Sequence, residues 1–185
     1  HYMASVWDPD YLSWIDPYMP VYKIGSGDLT AYPVLRAIAK LGKPMILSTG
    51  LSSLEDVLGA VQFLQRLDER YKNPAFLSIL QCTSMYPIPF EDANLSVMNT
   101  LAEATGLPVG YSDHTEGSKA LEIAVAMGAQ ILEFHFTDSR EGKSFRDHKV
   151  SLTRDEVLDL ILCIKDIKRL TGQPVKQALP VEGEH

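Results

Sequence analysis

Cysteine is scarce in this chain, and its distribution argues against a disulfide-stabilised fold. Cys82 and Cys163 are the only two cysteines among 185 residues, and each lies in an apolar run typical of a buried free thiol. No apolar run reaches the ~20 residues that cross a bilayer, and no secretory signal peptide is visible. We therefore expect a protein of the reducing cytoplasm without a membrane-spanning segment.

An excess of positive charge is also lacking. The chain has 24 acidic residues against 17 lysines and arginines, which gives a net charge of −7 and a pI near 5.2. Such a surface repels nucleic acids and anionic membranes, so neither is expected as a partner. No Gly-x-Gly-x-x-Gly follows the first apolar run and no P-loop occurs, so dinucleotide binding is not expected.

Short apolar runs alternate with amphipathic segments along the chain. Strands are predicted at residues 2–6, 21–25, 44–48, 76–82, 108–111 and 130–134. Helices are predicted near residues 9–16, 32–41, 53–67, 95–105, 116–128 and 153–171. The strands are continuous apolar runs, as in parallel strands covered on both faces. Six βα units predict an α/β fold, either a (β/α)8 barrel of the TIM type or a doubly wound sheet.

The start of the chain favours an incomplete barrel. The sequence begins at His1 and enters an apolar run at Tyr2, and six units are two fewer than a complete barrel has. We therefore expect residues 1–185 to form a single partial barrel domain that lacks the first two strands.

Two histidines at neighbouring strand ends are the most informative feature. His114 follows the predicted strand at 108–111, and His135 follows the strand at 130–134. Parallel strands lie ~5 Å apart, so two imidazoles at their carboxyl ends can share one divalent metal ion. A structural hydrogen-bonding role for each histidine is the alternative.

The other strand ends carry hydroxyl and charged groups beside glycine, which suit a phosphate or carboxylate. Lys23 falls inside an apolar strand, where a buried ammonium requires an anion. The alternative to a substrate anion is an internal ion pair with Asp28, Asp113 or Glu133. A Schiff-base role for Lys23 is also open, although the histidine pair favours a metal-assisted route.

Several spaced motifs resemble the N-acetylneuraminate (sialic acid) synthase family, including its spore-coat polysaccharide relatives. They cover residues 22–28, 46–50, 81–87, 110–115, 133–137 and 147–149, in that order. The resemblance implies a (β/α)8 barrel followed by an antifreeze-like domain, which is absent here. It also implies a homo-oligomer that condenses phosphoenolpyruvate with an N-acetylmannosamine-type sugar, releasing phosphate with the help of Mn²⁺ or Mg²⁺.

The resemblance assigns roles to particular residues. It implies that His114 and His135 bind the metal, and that these two act in catalysis with Lys23 and Asp28. The positions that match phosphoenolpyruvate contacts are Ser5, Lys23, Ser26, Ser48, Ser84 and Ser112. The positions that match amino-sugar contacts are Asp28, Tyr86 and Asp147.

Four positions depart from the pattern of this family. Asp28 stands where many members have glutamate, Phe134 stands where a basic residue is common, and Phe145-Arg146 stands where Gly-Pro is usual. These departures leave the acceptor sugar open, so a legionaminic or pseudaminic acid-type synthase is a second candidate function. The expected absence of the first two strands gives a third candidate, a non-catalytic, truncated sugar-phosphate-binding protein.

Overall fold

A computed structural model describes residues 1–183, and its centre is a parallel five-stranded sheet. The strands are β1 (Tyr22–Ile24), β2 (Met45–Ser48), β3 (Leu77–Cys82), β4 (Val109–Ser112) and β5 (Leu132–Glu133). Their order in the sheet is β1-β2-β3-β4-β5, and each pair of neighbours is parallel.

The sheet order matches the chain order. A doubly wound sheet reverses its strand order at a switch point, whereas a barrel adds every strand beside the preceding one. Residues 1–183 contain no such reversal. The doubly wound alternative is therefore wrong, and the topology is that of a barrel.

Helices link the successive strands. They are α1 (Leu12–Ile15), α2 (Tyr32–Ala39), α3 (Leu54–Leu67), α4 (Val97–Thr105), α5 (Lys119–Ala126), α6 (Asp147–Val150) and α7 (Arg154–Thr171). A capping box joins Ser53 to Asp56 at the start of α3, and a second one joins Thr153 to Glu156 at the start of α7. The short α6 lies in a segment for which the sequence predicted no helix.

The first 20 residues correct two predictions. The predicted strand at 2–6 is wrong, because Ser5 forms only an isolated parallel bridge with Lys23. The predicted helix at 9–16 divides into a 3-10 turn, α1 and a second 3-10 turn, and Pro17 in the second turn lacks the N–H that would continue α1. The sheet thus has five strands, where the sequence predicted six.

The core lies between the sheet and its helices. Tyr22, Ile79 and Tyr111 on the strands are fully buried, as are Leu35 and Leu64 on the covering helices. This packing fixes the carboxyl ends of the strands, from which the polar side chains project. Within residues 1–183, no helix combines the length and the apolar character that a membrane crossing requires.

Candidate active site

The carboxyl ends of the strands surround a cavity of about 610 Å³. Every predicted site residue except Asp147 lines it, namely Ser5, Lys23, Ser26, Asp28, Ser48, Ser84, Tyr86, Ser112, His114 and His135. The parallel register explains this convergence, because Ser48, Cys82, Ser112 and Glu133 occupy the last positions of four adjacent strands. The fold thus brings together residues that are more than 100 positions apart.

The two imidazoles lie side by side on one wall of the cavity. Their ring centroids are 5.3 Å apart, and the rings are tilted by 56°. His114 is buried, and its Nδ1 lies 2.8 Å from the carbonyl oxygen of Thr83. A carbonyl only accepts hydrogen bonds, so Nδ1 carries the proton and Nε2 keeps its lone pair. The second imidazole has a looser contact, because the Nδ1 of His135 lies 3.6 Å from Oδ2 of Asp147, beyond hydrogen-bond distance.

The neutral form of His135 is favoured by its surroundings. Burial lowers the pKa of this imidazole below 6.5, and the neighbouring His114 lowers it further, against the opposing effect of Asp147. The aromatic ring of Tyr86 covers the pair, with its centroid 4.0 Å from that of His114 and 5.4 Å from that of His135. Burial raises the pKa of Tyr86, so its phenol stays protonated at neutral pH.

Lys23 is paired with a carboxylate inside the cavity. Its Nζ lies 3.3 Å from Oε2 of Glu133 and donates a hydrogen bond to the carbonyl of Ile24. Ser112 Oγ donates to Oε1 of the same carboxylate at 2.7 Å. Glu133 is therefore the internal partner of Lys23, and the third acid considered, Asp113, is held instead by Tyr111 and Thr115.

Serine hydroxyls crowd around Gly50 on the opposite wall. The amide of Gly50 donates to Ser26 Oγ at 3.0 Å, and a Cβ at position 50 would lie only 2.2 Å from Ser84 Oγ. Glycine at this position is what allows the two hydroxyls to approach the backbone. Close by, Ser48 Oγ is buried and has no hydrogen-bond partner within residues 1–183.

Asp147 lies behind the cavity rather than in its lining. It begins α6, and its carboxylate is between His135 and Arg146, with Oδ1 3.6 Å from Nε of the arginine. Oδ1 is buried and accepts no hydrogen bond in the described part of the chain. The Arg146 guanidinium carbon lies 4.8 Å from the centroid of the Tyr86 ring.

Comparison with known proteins decides the family. The NeuB family model matches residues 1–176. The chain belongs to the NeuB family. This confirms the resemblance that the sequence motifs indicated.

Relatives of this NeuB chain are synthases of nonulosonic acids. It is 40% identical to N,N'-diacetyllegionaminic acid synthase of Campylobacter jejuni over 160 residues, which are 86% of this chain and 47% of the relative. It is 39% identical to N-acetylneuraminate-9-phosphate synthase of Mus musculus over 165 residues, covering 89% of this chain and 44% of the relative. The NeuB chain thus spans about half the length of the curated relatives it matches.

A solved relative establishes the fold class. The crystal structure of N-acetylneuraminic acid (sialic acid) synthetase from Leptospira borgpetersenii superposes with a TM-score of 0.86 at 30% identity. The match covers 96% of this NeuB chain and 60% of the Leptospira chain. The fold is therefore an incomplete (β/α)8 barrel, as the sequence predicted.

The NeuB cavity contains three residues with side chains that sequence reasoning did not assign to the site. Glu133 was considered only as an ion-pair partner, Cys82 only as a buried thiol, and Trp7 was given no role, yet all three line the cavity. Cys82 Sγ lies 3.9 Å from Nδ1 of His114. Glu133 and Cys82 are the last residues of β5 and β3, and that position is the signal that identifies them.

The donor set of the NeuB site fits a metal ion held by two imidazoles. Each histidine turns Nδ1 towards an oxygen, which leaves Nε2 as the free donor, the usual arrangement of metal-binding histidines. In residues 1–183, no group of three or more His, Cys, Asp or Glu side chains is arranged to hold a metal. Water or substrate oxygens would have to supply the other ligands.

Proposed function

We propose that this chain carries the active site of a metal-dependent synthase of nonulosonic acids. The reaction condenses phosphoenolpyruvate with an N-acetylmannosamine-type sugar and releases phosphate. The C3 carbon of phosphoenolpyruvate forms a bond to the aldehyde carbon, water adds at C2, and phosphate leaves by C–O cleavage. The NeuB family match and the synthase relatives support the reaction class.

The observation that carries this proposal is the buried hydroxyl of Ser48, which has no hydrogen-bond partner within residues 1–183 and lines the same cavity as Lys23. A buried polar group without a hydrogen bond costs about 1–3 kcal/mol, so it is retained where a ligand satisfies it. Ser26 and Ser84 present two more hydroxyls across Gly50. One ammonium with several hydroxyls is a set of donors that suits the phosphate and carboxylate of phosphoenolpyruvate.

The charges of the cavity support the metal. Its described lining has one ammonium, Lys23, against the carboxylates of Asp28 and Glu133, and two imidazoles that can act as ligand donors. A multiply charged anion does not enter such a site without an added cation. We propose that His114 and His135 hold a divalent ion, Mn²⁺ or Mg²⁺, through Nε2. When bound, such an ion supplies Lewis-acid activation of the sugar aldehyde.

The remaining residues orient the two substrates. Lys23 and the serines, including Ser5 and Ser112, fix the phosphoenolpyruvate, so that its C3 faces the aldehyde. Asp28 and Tyr86 bind the amino sugar. The family resemblance also assigns Asp147 to the sugar, but this residue lies outside the cavity lining, and its Oδ2 lies 3.6 Å from Nδ1 of His135, where it orients that imidazole. Positioning and electrostatics then supply most of the rate.

Electron paramagnetic resonance of Mn²⁺ tests the metal site directly. Wild-type protein is expected to bind the ion, and His114→Ala is expected to lose it. His148→Ala is the matched control, because this imidazole lies outside the cavity and contacts Thr137. In the complete gene product, His114→Ala and His135→Ala should also abolish condensation.

Equal Mn²⁺ binding by all variants would contradict the two-histidine site, and full condensation activity in the His114→Ala variant would contradict the proposed function. Absence of binding in a demonstrably folded wild-type chain would favour the non-catalytic, sugar-phosphate-binding alternative.

A legionaminic or pseudaminic acid-type synthase is the second candidate function. The chain is 40% identical to the Campylobacter jejuni legionaminic acid synthase and 39% identical to the mouse enzyme, so sequence similarity supports both functions equally. Turnover measured with the corresponding series of hexosamine acceptors separates the two functions.

We also propose a homo-oligomer that acts in the cytoplasm. Large side chains are exposed on two segments, Trp7, Tyr11, Trp14 and Tyr18 near the start and Leu158, Ile161 and Leu162 on α7. Exposed apolar surface of this kind favours association. Both cysteines are free thiols, which agrees with a reducing compartment.

A further inference from the structure

The two imidazoles of the site are held with unequal firmness. His114 is buried, and its Nδ1 donates a hydrogen bond of 2.8 Å to the carbonyl oxygen of Thr83. The ring of His135 makes no such bond within residues 1–183, because Oδ2 of Asp147 lies 3.6 Å from its Nδ1. The direction of the second imidazole therefore depends on the groups that pack around it.

Two groups pack around the ring of His135. The Tyr86 ring meets it edge to face, with the centroids 5.4 Å apart and the planes at 89°. The carboxylate of Asp147 approaches its Nδ1. Tyr86 lies on the loop that follows β3, whereas Asp147 begins α6. Two separate segments of the chain must therefore stay in place for this imidazole to keep its direction.

Arg146 contacts both of these groups. Its guanidinium carbon lies 4.8 Å from the centroid of the Tyr86 ring, and its Nε lies 3.6 Å from Oδ1 of Asp147. That oxygen is buried and accepts no hydrogen bond within residues 1–183, so the guanidinium supplies a positive charge beside an otherwise uncompensated acceptor. The side chain thus connects the loop after β3 to the start of α6.

Two other cations of the same loop are paired elsewhere. Arg140 forms a double hydrogen bond with Glu156, and Lys143 pairs with Asp138. Neither of them lines the strand-end cavity. Lys143 therefore offers a comparison in which the same charge is removed from the same loop without loss of the contact to Tyr86.

We propose that Arg146 is a positioning residue for His135. It holds the Tyr86 ring and the Asp147 carboxylate against this imidazole, and so keeps Nε2 directed into the cavity. The inference rests on the proposed function, in which Nε2 of His114 and of His135 binds the divalent ion. Because His114 has its own hydrogen bond, Arg146 acts on one imidazole and not on the other.

The sign of the effect on metal binding separates positioning from simple charge. A guanidinium repels a divalent cation, so electrostatics alone predicts that Arg146→Ala binds Mn²⁺ more tightly. Positioning predicts the opposite, an increase in Kd of about two- to fivefold, which is the factor expected of one exposed cation–π contact. Arg146→Lys should give an intermediate Kd, because it keeps the charge and loses the planar fork.

Titration with Mn²⁺, followed by electron paramagnetic resonance, measures these Kd values in the complete gene product. Lys143→Ala is the matched control, and its Kd should be unchanged or slightly lower than that of the wild type. The side chain of Arg146 is 67% exposed, so Arg146→Ala should leave Tm nearly unchanged. A weaker affinity then cannot come from loss of the fold.

Nuclear magnetic resonance of the metal-free protein tests the positioning without the ion. With ¹⁵N-labelled histidine, the ring nitrogens of His114 and His135 give separate signals, which the two His→Ala variants assign. Arg146→Ala should shift or broaden the ring signals of His135 and leave those of His114 in place. A general loss of structure would move both sets.

The outcomes separate the inference from the function on which it rests. An unchanged or lower Kd in Arg146→Ala overturns the positioning role, as do His135 signals that stay in place or equal changes at both imidazoles. Absence of Mn²⁺ binding by the wild type overturns the metal-dependent function instead. The His135 signals of the metal-free protein then still decide whether Arg146 positions this ring.

Discussion

At the scale of single residues, the site depends on one partly buried ion pair. Lys23 is 9% exposed and has Glu133 as its counter-ion, and the carboxylate is further held by Ser112. A buried ammonium without a partner is costly, whereas removal of both charges is often tolerated. The stability of the cavity and its charge are therefore coupled through these two side chains.

A double-mutant cycle measures this coupling. Glu133→Gln is expected to lower the free energy of unfolding by about 1–3 kcal/mol, because Lys23 loses its counter-ion. Lys23→Met combined with Glu133→Gln should recover most of that loss. Urea denaturation of the four proteins gives the coupling energy. The exposed pair Lys72–Glu69 is the control, and its cycle should stay within about 0.5 kcal/mol. A purely additive result at Lys23 and Glu133 would contradict the coupling.

Position 50 in the site has no room for a side chain larger than that of glycine. In Gly50→Ala, the new Cβ would meet Ser84 Oγ at 2.2 Å and Ser26 Oγ at 2.9 Å, so both hydroxyls must move. We expect an increase of about tenfold in KM for phosphoenolpyruvate and a loss of about 1–3 kcal/mol in stability. Gly183→Ala, which has open space around the added methyl group, is the control. An unchanged KM for phosphoenolpyruvate in Gly50→Ala would show that the hydroxyls of Ser26 and Ser84 do not bind this substrate.

The sequence predicted most of the cavity lining for a geometric reason. Residues at the ends of consecutive parallel strands share one edge, so His114, His135 and the serines could be grouped before any coordinates. The ionic partner of Lys23 could not be chosen, because the direction of each strand side chain depends on register. The stacking of Arg146 on Tyr86 could not be predicted either, since 13 residues separate the end of β5 from the start of α6 and neither strand nor helix periodicity fixes their path.

At the scale of secondary structure elements, local signals determine where the helices begin. Ser53 and Thr153 each start a helix with a capping box. The predicted elements near the start fail for equally local reasons. Residues 2–6 are apolar enough for a strand but pair only at Ser5, and Pro17 lacks the N–H that would continue the next helix beyond α1.

Glu156 links two elements and gives α7 a pH-dependent contribution to stability. Hydrogen bonds from Arg140, and then from the Thr153 amide, lower the pKa of this carboxyl from 4.5 to about 2. A lowered acid pKa stabilises the fold above pH ~4.5, and the contribution disappears as the pH falls towards 2. Because the pair is partly exposed, we expect Glu156→Gln to cost only about 1 kcal/mol at neutral pH.

Urea denaturation across the acid range checks this effect. The difference in unfolding free energy between wild type and Glu156→Gln should shrink as the pH is lowered from about 5 to about 3. Asp166→Asn, on the same helix with an exposed partner, is the control and should change stability little. If the difference in unfolding free energy stays constant with pH, the stabilisation does not come from the charge of Glu156 that pairs with Arg140.

At the scale of the whole molecule, apolar surface remains at both flanks of the sheet. Trp14 and Tyr18 precede β1, and Leu158 and Leu162 lie on α7 after β5. Exposed apolar side chains of this size favour association.

Light scattering coupled to size exclusion checks the proposed association. The wild-type chain should elute with a mass greater than that of one copy, and the mass should increase with concentration. Trp14→Ser and Leu162→Ser should shift it towards the monomer, whereas Leu170→Ser, at the exposed end of α7, should not. A monomer at all concentrations would contradict the oligomer.

The unreversed order of the strands has a consequence for how the chain folds. Each strand pairs with the next one along the chain, so each pairing closes a loop of only about 20 to 30 residues. Because every pairing joins neighbours along the chain, the five described strands can assemble stepwise in the order in which a ribosome synthesises them.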